Sequence, residues 1–176
     1  MEKGAAKKAD IIITFLSIDT NTEREGKDKD SLAFPKEQID LLKNIVGINR
    51  NIIAFIISGS PLELGYLHEN LPAIIQAWYP GERGGDAIAA LLAGDENFSG
   101  KLPMTFFKST SQLPSISDYD LFKGRTYMYF DGVPQYEFGF GLSYTEFKYE
   151  NFEILGSEFK SGDSIKYSID IENVGD

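Results

Sequence analysis

Three short apolar runs limit what the first half of this chain can become: Ile11-Ile12-Ile13-Thr14-Phe15-Leu16, Ile52-Ile53-Ala54-Phe55-Ile56-Ile57 and Ala73-Ile74-Ile75-Gln76-Ala77-Trp78. Each has the length of a strand, and β-branched residues prevail. The near absence of polar alternation is the pattern of strands buried on both faces. Helical patterns lie between them. Pro35 opens the first, where Ile39, Leu42, Ile45 and Val46 recur at helical spacing until Gly47 or Asn49 stops it. A shorter helix runs through His68, and Asp86–Leu92 forms a third that ends at Gly94. Residues 3–9, rich in Ala and Lys, read as the tail of a helix, which suggests material upstream. The alternation of strand and helix predicts an α/β fold, a mostly parallel sheet flanked by helices in an α/β sandwich. Ligands of such sheets sit at the carboxyl ends of the strands. Here that edge carries the polar segment 19–34, the turn 58–61 and the loop 78–85.

Beyond Gly94 the texture changes. Residues 95–145 are rich in turns and aromatics, among them Tyr119, Phe122, Tyr127, Tyr129, Phe130, Tyr136, Phe138, Phe140 and Tyr144. From Phe147 the apolar residues alternate, and Ile165, Tyr167, Ile169 and Ile171 keep strict period two, predicting two antiparallel strands. The turn signal Asn173-Val174-Gly175-Asp176 calls for another strand, and two strands alone make no sandwich, so this part reads as incomplete.

Composition narrows the chemistry. The 176 residues include no cysteine, which excludes thiolate zinc sites, disulfides and thiol catalysis. A single histidine, His68, excludes poly-histidine metal sites, and neither a metal nor a cofactor is expected. The net charge of −10 argues against nucleic acid, because the densest basic stretch, Arg24 to Lys29, is interleaved with Glu25 and Asp28. No apolar run reaches the roughly 20 residues of a membrane span, and the first residues lack the apolar core of a signal peptide, which leaves the compartment open.

The segment 19–34 gathers Asp19, Glu23, Glu25, Asp28 and Asp30 beside Arg24, Lys27 and Lys29. Clustered carboxylates can raise one another's pKa and so supply a general acid, or the segment is a solvated loop of mixed charge. The other candidates have simpler readings. Gly81-Glu82-Arg83-Gly84-Gly85 lacks the ending of a P-loop and reads as a helix entry. His68 reads as a packing or capping residue, and Ser58-Gly59-Ser60-Pro61 is not a nucleophile elbow. Asp118 and Asp120 read as a surface turn, and Asn97-Phe98-Ser99 fits a glycosylation acceptor. The aromatics of 119–144 could stack sugar rings or pack structurally.

Four segments in order carry a resemblance: Trp78-Tyr79-Pro80-Gly81 with Gly84-Gly85, Ser99-Gly100-Lys101-Leu102-Pro103-Met104-Thr105-Phe106, Gly124-Arg125-Thr126-Tyr127-Met128-Tyr129-Phe130, and Tyr136-Glu137-Phe138-Gly139-Phe140-Gly141-Leu142-Ser143-Tyr144-Thr145. Over nearly its whole length the chain resembles the carboxyl-terminal half of glycoside hydrolase family 3, the β-glucosidases and β-xylosidases. The resemblance implies an α/β sandwich domain over 1–107, an aromatic connecting segment over 108–145 and a truncated fibronectin III-like segment over 146–176. It implies hydrolysis of terminal β-D-glucosyl or xylosyl residues with retention, and a β-linked oligosaccharide or glycoside as substrate. It further implies a (β/α)8-type barrel as partner, which supplies the nucleophilic aspartate and is missing here. The isolated chain is therefore expected to be inactive. Ser117-Asp118-Tyr119 looks like the surroundings of that nucleophile but falls in the other domain.

Family members often carry E-G-x-D-R-x-x-L-x-x-P around the acid/base glutamate. Here the segment reads Glu25-Gly26-Lys27-Asp28-Lys29-Asp30-Ser31-Leu32-Ala33-Phe34-Pro35, with Lys29 in place of the arginine. The match gives the acid/base role to Glu25, with Glu23 second because the loop varies in length. Asp28, Lys29 and Trp78 are the implied substrate-binding residues. The alternative is a non-catalytic carbohydrate-binding or structural module.

Overall fold

The computed structural model describes residues 3–175. Its elements are α1 (Lys3–Lys8), β1 (Ile12–Ser17), α2 (Lys36–Val46), β2 (Ile52–Ile57), α3 (Gly65–Asn70), β3 (Ala73–Gln76), α4 (Gly84–Ala93), a 3-10 turn (Thr110–Gln112), α5 (Thr126–Tyr129), β4 (Phe147–Leu155) and β5 (Lys166–Asn173). The three apolar runs form one parallel sheet in the order β1-β2-β3, with Ile12 opposite Ile52 and Ile53 opposite Ala73. A separate antiparallel pair joins β4 to β5. The alternation of strands and helices thus gives the α/β sheet that it predicts, and the period-two pattern after Phe147 gives the small antiparallel sheet.

The chain divides into two compact units. The first comprises the chain up to Ala89 together with Lys101–Phe140. Its core gathers Ile12 and Leu16 of β1, Ile52, Ala54 and Ile56 of β2, Leu42, Ile45 and Val46 of α2, and Leu62, Leu67 and Phe106. Burying each of the larger side chains among them contributes roughly 1.5–3 kcal/mol, so this cluster anchors the sheet edge described below. Phe106 lies in a short bridge: its amide donates to the Tyr136 carbonyl at 2.9 Å, and its carbonyl accepts from Gln135 N at 2.8 Å. Here the aromatic segment packs on itself, with Tyr127 stacked on Phe138 at 4.2 Å and Phe107 edge-on to Phe130 at 5.0 Å.

Three local expectations are corrected. β1 is not buried on both faces: Ile13 is 45% and Phe15 57% exposed. The core packs on the face of Ile12 and Leu16 alone, and Phe15, on the other face, rests on the Phe55 ring at 5.3 Å with its outer side open. β3 stops at Gln76 rather than Trp78, because Trp78 takes a φ of 55°, which no extended strand accommodates. The last ladder bond there runs from Ala77 N to Ile56 O, at 2.9 Å. Finally, α4 begins at Gly84, two positions ahead of Asp86.

The second unit comprises Ala90–Gly100 and the chain from Gly141 onward. Asn97 stitches it, donating from Nδ2 to Ser143 Oγ at 2.8 Å and accepting from Tyr144 N at 3.2 Å. The spacing of three between Tyr149 and Phe152 marks a β-bulge, where the register shifts between Glu150 and Glu153 and Asn151 takes a φ of 52°. The bulge returns Phe152 to the face of Tyr167, 6.1 Å between ring centroids.

Candidate active-site edge

The segments that leave the carboxyl ends of β1, β2 and β3 meet at one edge of the sheet. The segment 19–34 is long, yet it is pinned at several points. Asp19 caps its first turn, accepting from Asn21 N at 3.1 Å, Asn21 Nδ2 at 3.0 Å, Thr22 N at 3.0 Å and Thr22 Oγ1 at 3.0 Å. Leu32 and Phe34 are buried at the other end. There Leu32 N donates to Thr110 Oγ1 at 3.0 Å, and Glu63 Oε1 accepts from Thr110 N at 2.7 Å and Thr110 Oγ1 at 2.8 Å.

Those hydrogen bonds hold the Asp19 carboxyl below the ordinary carboxylate range, the side-chain bond from Asn21 first and those from Thr22 next. A carboxyl whose folded pKa lies below its unfolded value adds stability that is present above the unfolded value, about 3.9, and is lost as pH falls through the folded one. An NMR titration of the side-chain carboxyl carbons should therefore place the Asp19 midpoint below those of exposed aspartates. Asn21→Ala together with Thr22→Ala should move it back up. An unchanged midpoint in that double variant would remove the cap from the account.

Between the pins sits a polar junction. Glu23 and Lys29 are mostly buried, with side-chain exposures of 21% and 10%, and form an ion pair at 3.2 Å. The Lys29 ammonium also donates to Ser60 Oγ and, at 2.7 Å, to the Pro61 carbonyl, while Ser60 Oγ donates to the Glu23 carboxylate. Behind Ser60 the network reaches the sheet. Ser58, fully buried, donates to the Ser60 carbonyl at 2.8 Å and accepts from Gln76 Nε2 at 3.1 Å. Burial holds the Lys29 amine below the ordinary lysine value, and the hydrogen bond and charge of Glu23 oppose that shift.

Gly59 makes the junction possible. A Cβ there would come within 2.8 Å of Tyr79 Cε2 and 3.2 Å of Glu23 Oε1. Gly59→Val should therefore push the exposed Tyr79 ring aside and lower stability by about 0.5–1 kcal/mol. Trp78, the chain's one tryptophan, adjoins Tyr79 and reports the loss as an earlier emission change in urea. An unchanged midpoint would mean that Tyr79 moves aside at no cost.

Glu25 occupies the tip. Arg24 and Lys27 close a tight turn, with Arg24 N donating to Lys27 O at 3.1 Å and Lys27 N to Arg24 O at 2.9 Å. Gly26, at the third position with a φ of 72°, fits the type II pattern that needs glycine there. This leaves Glu25 at the exposed corner. Neither Glu25 nor Asp28 has a side-chain partner among the described residues, and both face solvent. The half-buried Trp78 packs edge-on to Phe106, 6.1 Å between centroids, and borders the same strand ends.

The other candidates stand elsewhere. His68 Nδ1 shares a 2.8 Å hydrogen bond with the Tyr136 hydroxyl, and the two rings stand edge-on with centroids 5.5 Å apart. Asp118 accepts from Asp120 N at 3.1 Å and pairs with Lys123 at 3.2 Å, which makes it the brace of a surface turn. No cluster of three metal-ligating side chains occurs among the described residues, and no helix there is long and apolar enough to cross a membrane.

Residues 2–144 match the glycosyl hydrolase family 3 C-terminal domain. The chain belongs to glycoside hydrolase family 3. Among its relatives, a xylan 1,4-β-xylosidase from Xylanibacter ruminicola is 46% identical over 124 residues, covering 70% of this chain and 14% of that protein. A β-xylosidase from Formosa agariphila is 34% identical over 176 residues, covering 97% of this chain and 24% of the relative. Among solved structures, a β-glucosidase from Erythrobacter marinus superposes with a TM-score of 0.81 at 36% identity over 99% of this chain and 24% of its own. A β-glucosidase from Kluyveromyces marxianus, in complex with glucose, superposes with a TM-score of 0.83 at 29% identity, covering 99% of this chain and 22% of its own. This family 3 chain thus spans at most about a quarter of the length of the relatives named here.

Sequence reasoning placed the turn 58–61 at this edge but gave Gly59 and Ser60 no part in it, and it missed Glu63 and Thr110 altogether. Ser60 carried a signal, being a small polar residue just past a buried strand. Thr110 carried none, since its contact with Leu32 spans 78 residues of chain.

Proposed function

We propose that this chain contributes the acid/base half of a retaining β-glycosidase acting on terminal β-D-glucosyl or xylosyl residues. Glu25 first protonates the departing glycosidic oxygen and then takes a proton from the attacking water. The nucleophile is an aspartate of a (β/α)8-type barrel domain, its carboxyl about 5–5.5 Å from that of Glu25 in the assembled site. One observation carries the choice of residue. Glu25 stands exposed and without a partner at the corner of the turn, whereas the Glu23 carboxylate is committed to Lys29 and Ser60. Asp28, free on the same tip, serves the sugar hydroxyls, and Trp78 borders the opening.

The 176-residue chain alone should leave aryl β-glucosides and β-xylosides intact. Adding a family 3 barrel domain in trans should restore turnover, and the preferred sugar then reads out the specificity. Glu25-dependent turnover by the chain alone would place a nucleophile within it and overturn the division of labour.

A second reading rests on the exposed aromatics: Tyr119 is 87% and Phe122 76% exposed. A carbohydrate-binding module would show saturable glucose, xylose or β-glucan binding by calorimetry, lost when these rings are replaced and indifferent to Glu25.

A further inference from the structure

We infer that Lys29 is a positioning residue rather than a sugar contact: with Glu23 and Ser60 it clamps the base of the tip that carries Glu25. The inference rests on the acid/base reading of Glu25, and donor counting supports it. An ammonium has three hydrogens to donate. Lys29 faces three acceptors within the protein: the Glu23 carboxylate, Ser60 Oγ and the Pro61 carbonyl. None is left for a substrate hydroxyl, and a side chain 10% exposed cannot turn outward without breaking all three contacts.

The placement of the two charged residues defines what the clamp does. Glu23 and Lys29 flank residues 24–28, so their ion pair closes the tip at its neck. Ser60 and Pro61 belong to the turn after β2, and Ser58 joins that turn to Gln76 of β3, so the neck is tied to the sheet through a turn that is itself anchored. Proton transfer to a glycosidic oxygen needs the carboxyl within hydrogen-bond reach, and a displacement of about 1 Å can cost on the order of a hundredfold in rate. A tip joined to the sheet only by flexible chain would not hold that tolerance.

Hydrogen exchange on the 176-residue chain provides the first test. Lys29→Met should speed exchange of the amides in 23–30 by roughly tenfold or more, as expected when a local anchor is lost, with the amides of α2 and β2 still protected. Lys29→Arg, which keeps the charge and the donors, should restore much of the protection, and Glu25→Gln should change none of it. If Lys29→Met leaves the tip as protected as before, the clamp is wrong whatever Glu25 does.

The second test uses the chain assembled with a family 3 barrel domain. Lys29→Met should lower kcat for a poor leaving group by about tenfold to a hundredfold with KM changed less than threefold, the mark of a misplaced acid. Lys29→Arg should recover most of it. A rise in KM at unchanged kcat would make Lys29 a substrate contact and overturn the inference. Should Glu25→Gln leave turnover intact while Lys29→Met opens the tip, the acid/base reading fails and the clamp stands as a structural element only.

Discussion

In the assembled enzyme, Glu25→Gln should slow hydrolysis of β-glycosides with poor leaving groups by about 10²–10⁴-fold, the range for loss of a general acid–base. The loss should depend on the leaving group. An alkoxide cannot depart without a proton, whereas a dinitrophenolate can, so the first step survives for activated aryl glycosides. The second step still lacks its base, and the glycosyl-enzyme should accumulate. Azide attacks without needing deprotonation, so millimolar azide should restore turnover and yield a glycosyl azide. Equal losses on alkyl and dinitrophenyl glycosides, with no rescue, would assign Glu25 to binding or folding. The same experiment on Glu23→Gln should show loss without azide rescue, because that carboxylate is engaged by Lys29 and Ser60 at the neck of the tip.

The largest effect on stability should come from Phe106→Ala, at about 3–5 kcal/mol. Phe106 is fully buried, faces the edge of Trp78 and holds the bridge to Tyr136 through its own backbone. Truncation leaves a cavity that backbone-anchored neighbours cannot close. For a chain of this size the melting temperature should fall on the order of 10 °C. Trp78 emission should shift red even in the folded state, because the indole loses its aromatic wall. Phe106→Leu keeps most of the volume and should cost less than about 1.5 kcal/mol. A Phe106→Ala melting point within a degree or two of the parent would mean that this side chain does not anchor the core.

The sheet was legible because its signal is local and redundant. Each strand is a contiguous apolar run, and the helix after Pro35 has both a start and a stop in the sequence. The features missed were those set by context: core packing on one face alone left the other face of β1 open, and the left-handed Trp78 cut β3 short. The edge that carries the candidate site was also legible, because parallel strands deliver their following loops to one side. Pairing within that edge was not. Composition marks Glu23, Glu25, Asp28 and Lys29 alike as charged loop residues. Only the fold separates Glu23 and Lys29, turned inward onto Ser60, from Glu25 and Asp28, turned outward. The contact between Thr110 and Leu32 joins distant parts of the chain and leaves no trace in either segment.

The neck formed by Glu23 and Lys29 makes residues 24–28 a cassette. Everything that fastens the segment to the sheet lies outside them, so their length and sequence can change without disturbing the core. On the acid/base reading proposed for Glu25, the tip offers a place to vary the reach of that carboxyl at little risk to folding. For an engineer, exchanging the residues around Glu25 between relatives, with Glu25 itself and the Glu23–Lys29–Ser60 junction kept, is the conservative route to altered substrate preference.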